Sequence, residues 1–386
     1  MQKQLNCRHF SGYKPCGKSE NCNDQCEYKS SVQERILIVH LEALGAVLRA
    51  TSLLPALKRK YPNSHVTWVT QSPAQNLLAN LPQIDRTLTT SETDLIQLKA
   101  LKFDFAFCLD KSLKASGVLA STQYNNLKGF IARGDGVIVP ANAAAEELWE
   151  LGLSNYKKFF VNQKPETQLV IESLELGEYL QDPYQVVLSE EEKKWSLQRK
   201  KEWAANSEII IGLNTGCSPI IPYKKLAINA HRELVLKLSK LEGVKVVLLG
   251  GPEDTERNAL IAKDLDAVNS PTELGIRDGL ASVAACDIVF SGDSLGMHMA
   301  IALQKYVVAW FGPTCAHEIE LYGRGEKILT AANCSPCWLR TCHKSVMCYD
   351  QVNLDEIIQA IERGIHWQTS SSKQLILETF SSPSPL

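Results

Sequence analysis

With 386 residues, 41 basic and 43 acidic side chains and a formal net charge of -2, the chain has no global field that would draw nucleic acid or an anionic membrane, so any anion site must be local. The length suits two domains, each large enough to bury a core. No uninterrupted apolar stretch reaches the roughly 18–20 residues of a membrane helix, and the opening MQKQLNCRHF is polar, which predicts a cytoplasmic protein.

The first element is a cysteine-rich leader over residues 1–30, carrying Cys7, Cys16, Cys22 and Cys26. It has little apolar content of its own and is hard to fold without a staple; in a reducing compartment such a cluster suggests metal ligands before disulfides. His9 beside Cys7 is a further candidate ligand, and a flexible leader with free thiols is the alternative. Next, Arg35–Val39 is short, β-branched and apolar, as in a strand buried on both faces of a parallel sheet. The turn Glu42–Ala46 follows. Val47, Leu48, Leu53, Leu54 and Leu57 then recur at helical spacing up to Lys58-Arg-Lys60 and Pro62. The basic stretch is a candidate contact for anionic headgroups and equally reads as a solvated helix cap. His65–Val69 is a second strand, Ala74–Leu81 a helical stretch, and Phe103–Phe107 a third strand ending at Asp110.

A second series begins at Ile209–Leu213. It continues with a helix over His231–Leu241, a strand Val244–Leu249, a helix around Asp254–Lys263, and strands Ile288–Phe290 and Tyr306–Phe311. Residues 145–207 are richer in charge and helical in period, which places the junction near Pro183 and gives domains of 31–185 and 186–368, closed by a helix at Leu354–Arg363. The tail 369–386, ending SSPSPL, reads as disordered. The fold class expected is α/β: two Rossmann-like, doubly wound domains facing a cleft, plus the leader.

Chemistry concentrates at strand ends. Gly292-Asp-Ser-Leu-Gly-Met-His298 lies between a strand and an apolar helix, where open backbone N–H groups and the helix dipole favour a diphosphate and Asp293 can bond sugar hydroxyls. The plain alternative is that Asp293 or Ser294 only caps the helix. Asn214–Ser218, followed by Tyr223-Lys-Lys225, offers hydroxyls, a glycine and lysines to phosphates, though the lysines equally read as a solvated pair. Gly250–Asp254 reads as a tight turn with a helix cap.

Taken in order, ILIVHLEALGAVLRATSLLPALKRKYPNSHVTWVT, IGLNTG with Lys224-Lys225, LLGGPED, GDSLGMHMAIAL, WFGPT, LYGRGEK and CSPCW make residues 35–365 resemble the heptosyltransferase family, glycosyltransferase family 9. The resemblance implies a GT-B architecture and an inverting transfer of heptose from ADP-heptose, chiefly to lipopolysaccharide-core acceptors, with no obligatory catalytic metal. It implies that Thr215, Gly216 and Lys224 or Lys225 contact the donor diphosphate, that Asp293 and Ser294 contact the donor sugar, and that Leu295, Gly296, Met297 and His298 shape the turn. The family's opening loop usually ends in an aspartate that serves as general base. Here that position is Ala46, whose methyl group accepts no proton, so Glu42 and Asp110 become the candidate replacements.

Cys334-x2-Cys337-x4-Cys342-x5-Cys348 forms a loop of a size to wrap a tetrahedral zinc or iron ion, with free thiols as the alternative. The scattered Cys108, Cys217, Cys286 and Cys315 sit among apolar neighbours and read as core. Three function classes compete. The first is a transferase acting on a glycan, glycolipid or protein acceptor, with peripheral contact at the inner membrane. The second is a donor-binding or scaffold protein with weak or no catalysis, which Ala46 favours. The third is an NAD-dependent dehydrogenase, which the lack of any G-x-G-x-x-G after a predicted strand disfavours.

Overall fold

The computed structural model describes residues 6–10, 12–204 and 209–370, which form two α/β layers built on two sheets of six strands each. The first sheet contains β1 (Arg35–Val39), β2 (His65–Thr70), β3 (Arg86–Thr89), β4 (Lys102–Cys108), β5 (Gln123–Ala132) and β6 (Ile138–Pro140), in the order β3-β2-β1-β4-β5-β6. Only the β5–β6 pair is antiparallel. The second sheet contains β7 (Ile209–Asn214), β8 (Val244–Leu249), β9 (Val268–Asn269), β10 (Ile288–Gly292), β11 (Tyr306–Phe311) and β12 (Gly325–Leu329), in the order β12-β11-β10-β7-β8-β9 and parallel throughout. In both sheets the chain order reverses beside the first strand, β1 or β7. That reversal opens a crevice at the carboxyl ends of the central strands.

The apolar runs that signal these strands are those with both faces covered. Ile36, Leu37, Ile38 and Val39 are wholly buried, as are Val289, Phe290 and Val308. Cys108, Cys217, Cys286 and Cys315 are all buried. Strands β3, β5, β6, β9 and β12 carry no comparable run and were not expected. The stretch expected to be helical over Ala74–Leu81 is a short 3₁₀ turn, Ala74–Leu78, after which Ala79 is extended. The closing helix runs Leu354–Thr369, with the Asn353 side chain accepting from the N–H groups of Asp355 and Glu356, and it buries Ile357, Ala360 and Ile361. Residues 371–386 of the expected disordered tail lie outside the described residues.

The two layers are joined by apolar packing and by a hydrogen-bonded connector. Leu48 and Leu77, from the first half of the chain, share a core with Leu280, Val283, Met297 and Ile301 of the second. The connector's Gln185 N–H donates to Thr51 Oγ1 at 2.7 Å, and Tyr322 Oη donates to the Asp182 carbonyl at 2.9 Å. Arg277 donates to the carbonyls of Asn76 and Val187 and pairs with Glu192. The leader is tied to the first layer: Arg8 pairs with Asp85 at 3.0 Å, and the Asn6 amide donates to the Val32 carbonyl at 2.6 Å.

The stretch Lys58-Arg-Lys60 is not a free basic patch. Lys58 donates to the Ser64 carbonyl at 2.8 Å, Arg59 binds Asp182, and Lys60 donates to the Glu175 carbonyl. Each of the three cations thus has a partner within the chain, with Arg59 and Lys60 on the surface. Among the described residues no helix is long and apolar enough to cross a membrane.

Candidate active site

Two loops, at the carboxyl ends of β7 and β10, are stitched together by Asn214. Its amide donates to the Gly216 carbonyl at 3.0 Å, to Ser291 Oγ at 3.1 Å and to Ser294 Oγ at 2.9 Å. The fit requires glycines. A Cβ at Gly296 would lie 2.5 Å from Asn214 Oδ1, and one at Gly216 would lie 1.8 Å from Asp254 Oδ2. Thr215 is fully buried, and its hydroxyl is spent on Asn258 and the Leu249 carbonyl, so it holds the loop and does not face the cleft. The helix Leu295–Ala302 begins at Ser294 without a side-chain cap, since Ser294 Oγ is occupied by Asn214 and Ser291. Its first N–H groups are left for an anion.

Around that helix start the charges converge. Lys224 Nζ lies 3.5 Å from Asp293 Oδ2, Lys225 Nζ 3.8 Å from Asp254 Oδ1, and His298 Nε2 3.7 Å from Asp293 Oδ1. Burial disfavours ionising Asp293, but the positive charges of Lys224 and Arg49, with His298, outweigh it and hold the carboxyl below its usual range. His298 is pushed down to about 3 by burial first, aided by the Arg49 and Lys224 charges, so it is neutral near pH 7. Met297 is buried in the core behind the turn.

Facing this from the first layer is the loop Glu42–Ala46. Ala43 takes a left-handed conformation (φ 60°), which sharpens the turn into the helix Leu44–Ala50. Gly45 meets His298 so closely that a Cβ there would lie 2.4 Å from its Cδ2. This contact sets how near the two layers approach. Ala46 lines a small pocket of the first layer, together with His40, Arg49, Lys111 and Glu166.

The two residues expected to replace a base at Ala46 are engaged elsewhere. Glu42 binds Lys114 on an exposed surface. Both oxygens of Asp110 are used, Oδ1 at 2.9 Å from His40 Nδ1 and Oδ2 accepting from the Leu41 N–H. The carboxylate that does share the cleft with Ala46 is Glu166, which the sequence did not single out because an acidic residue in a helix's first turn is ordinary. Glu166 pairs with Arg49, one turn beyond Ala46 on the same helix. Burial opposes its ionisation, but Arg49, Lys111, Lys158 and His40 together hold it below the usual carboxylate range. Lys158 of the first layer pairs with Glu318 of the second at 3.0 Å. Burial and the charge of Glu166 raise the Glu318 carboxyl above its usual value.

The cysteines stand apart from this cleft. Cys334, Cys337, Cys342 and Cys348 are half-buried neighbours, and burial with the proximity of the other three pushes the Cys348 thiol up to about 11. Cys7, Cys16, Cys22 and Cys26 line a small hollow with Phe10 and Tyr28. Among the described residues no group of three or more His, Cys, Asp or Glu side chains is disposed to hold a metal ion.

Comparison with known proteins follows the same outline. The model of glycosyltransferase family 9 (heptosyltransferase) matches residues 96–347. Lipopolysaccharide heptosyltransferase 2 of Salmonella typhimurium is 24% identical over 300 residues, covering 72% of this chain and 83% of that protein. The crystal structure of a glycosyl transferase of family 9 from Veillonella parvula superposes with a TM-score of 0.68 at 18% identity, covering 86% of this chain and 97% of that one. Escherichia coli ADP-heptose lipopolysaccharide heptosyltransferase II gives a TM-score of 0.64 at 18% identity, covering 87% and 100%.

The Gly45 contact yields a direct test. Gly45→Ala is expected to lower stability by about 1–3 kcal/mol in urea unfolding through overpacking, and His298→Ala in the same chain is expected to relieve most of that cost. Simple additivity of the two single effects would contradict the contact.

Proposed function

Because the chain belongs to glycosyltransferase family 9, the heptosyltransferases, we propose that it is an inverting transferase moving heptose from ADP-heptose to a hydroxyl of a lipopolysaccharide-core-like glycan, glycolipid or protein acceptor. The observation that carries this reading is a carboxylate-bearing pocket beside Ala46 on the first layer and, beyond the Gly45–His298 contact, an uncapped helix start flanked by lysines on the second. In the proposed reaction the acceptor oxygen bonds to the anomeric carbon and the bond from that carbon to the ADP phosphate oxygen breaks. The hydroxyl proton passes to the Glu166 carboxylate, and ADP leaves with its new negative charge facing Lys224, Lys225 and the N–H groups of Leu295 and Gly296. Asp293, kept ionised by Lys224, would accept hydrogen bonds from the sugar hydroxyls.

Glu166 suits the base role for two reasons. It stands in the pocket beside Ala46, and it is ionised and oriented by Arg49, which leaves its second oxygen without a hydrogen bond among the described residues. A donor-binding homologue without catalysis is the second reading, favoured by Ala46. ADP release from ADP-heptose with a mixed acceptor extract separates them. We expect release by the natural sequence and a loss of about 10²–10⁴-fold in Asp293→Asn and Lys224→Ala, as for removal of one preorganised electrostatic group or more. Retained donor binding with no release would support the binding reading.

We further propose that the two cysteine groups hold structural zinc or iron. Thiolates suit either ion, and the C-x2-C-x4-C-x5-C spacing supports the assignment for the C-terminal group, whose four side chains would have to draw together to bind one. Such an ion would tie down Cys334–Cys348 and take no part in transfer. Elemental analysis of protein purified without chelator should find one ion per group, with Cys334→Ser/Cys337→Ser removing one of the two; metal-free wild-type protein would contradict this.

A further inference from the structure

Two segments that the transfer chemistry does not use meet on the surface beside the cleft. Residues 151–165 and residues 327–349 contain no aspartate or glutamate, while carrying Lys157, Lys158 and Lys164 in the first and Lys327, Arg340 and Lys344 in the second. They touch where Lys158 Nζ sits 4.7 Å from the centroid of the Trp338 ring. Lys158 also pairs with Glu318, and both exert their charge on Glu166, which lines the pocket at Ala46. Both segments expose large apolar side chains: Tyr156, Phe160 and Val161 on one, Leu339 and Val346 on the other, with Trp338 partly exposed between them. Tyr156 and Phe160 pack with ring centroids 5.9 Å apart, so their outer faces form one surface.

The cations here differ from those of Lys58–Lys60, each of which has a partner within the chain. Lys157 has Glu150 at 2.8 Å and Lys164 has Glu147 and Glu172, but Arg340 and Lys344 have no acidic partner among the described residues. Aromatic and aliphatic tips interspersed with uncompensated cations match a surface that is anionic outside and apolar beneath. We propose that this face, Tyr156–Val161 with Trp338–Val346, docks the protein on an anionic lipid bilayer and turns the mouth of the cleft toward it. The complementarity is of charge and of apolarity together. An acidic protein partner would use the cations but leave most of the exposed aromatic tips without a role.

Vesicle flotation tests this without any transfer assay, so it stands or falls separately from the transferase reading. The vesicles are phosphatidylcholine alone and an equimolar mixture of phosphatidylcholine and phosphatidylglycerol. We expect the full chain to float with the mixed vesicles and not with the neutral ones. At about fivefold in affinity per basic residue near an anionic surface, Arg340→Glu/Lys344→Glu should weaken binding at least about 25-fold. Tyr156→Ser/Phe160→Ser should weaken it as well. These side chains are exposed, so both variants should keep the wild-type urea midpoint, which separates lost docking from lost folding. Failure of the natural sequence to float with mixed vesicles, or flotation of the charge-reversed variant at wild-type strength, would overturn the proposal. Retention on immobilised polyglutamate without vesicle binding would overturn it too, in favour of an acidic protein partner.

Discussion

The buried charge of Arg49 is the constraint around which the cleft is organised. A guanidinium taken out of water carries a desolvation penalty of several kcal/mol unless anions come to it. Here they come from both layers: Glu166 from the first in direct contact, with Glu318 and Asp293 of the second adding their field. Lys158 and Lys224 then balance the two carboxylates of the second layer. The two sheets are therefore coupled by electrostatics as well as by the apolar core around Leu48 and Met297. Losing one member of such a network leaves its partner's charge uncompensated. The network also sets protonation states, keeping Asp293 and Glu166 ionised and His298 neutral.

Legibility in the sequence followed burial. Strands covered on both faces, such as β1, β4, β7, β8, β10 and β11, announce themselves as apolar runs. Strand β5, with the sequence QYNNLKGFIA, and the edge strand β3, with RTLT, are polar because much of their surface meets solvent; their extended form comes from pairing with β4 and β2. The turn Gly292–His298 was legible because a strand, a polar glycine turn and an apolar helix in succession allow few geometries. Thr215 shows the limit of the same reasoning. Its place in the loop was foreseen, but a hydroxyl can turn outward to a ligand or inward to Asn258, and the sequence does not fix which.

The relation of Ala46 to Glu166 is a matter of tertiary distance. Glu42 and Asp110 are near Ala46 along the chain or at a neighbouring strand end, yet Glu42 pairs with Lys114 on an exposed surface and both oxygens of Asp110 bond to His40 and the Leu41 N–H. Glu166 lies 120 positions further on and reaches the same cleft through a helix that packs against Leu44–Ala50. Only Arg49, one turn from Ala46, links the two in the sequence, and a lone arginine on a helix does not reveal its partner. Loss of a carboxylate from one wall of a cleft can thus coexist with a carboxylate on another.

On the proposed reading Glu166 supplies the carboxylate that residue 46 lacks. The most direct measurement is the turnover of ADP-heptose at saturating donor in Glu166→Gln and in the double variant Glu166→Gln/Ala46→Asp. The account predicts a fall of about 10²-fold or more in the single variant, with ADP binding unchanged, and recovery of much of that loss when a carboxylate is placed at residue 46. Wild-type turnover in Glu166→Gln, or activity that appears only with Ala46→Asp whatever stands at 166, would contradict it.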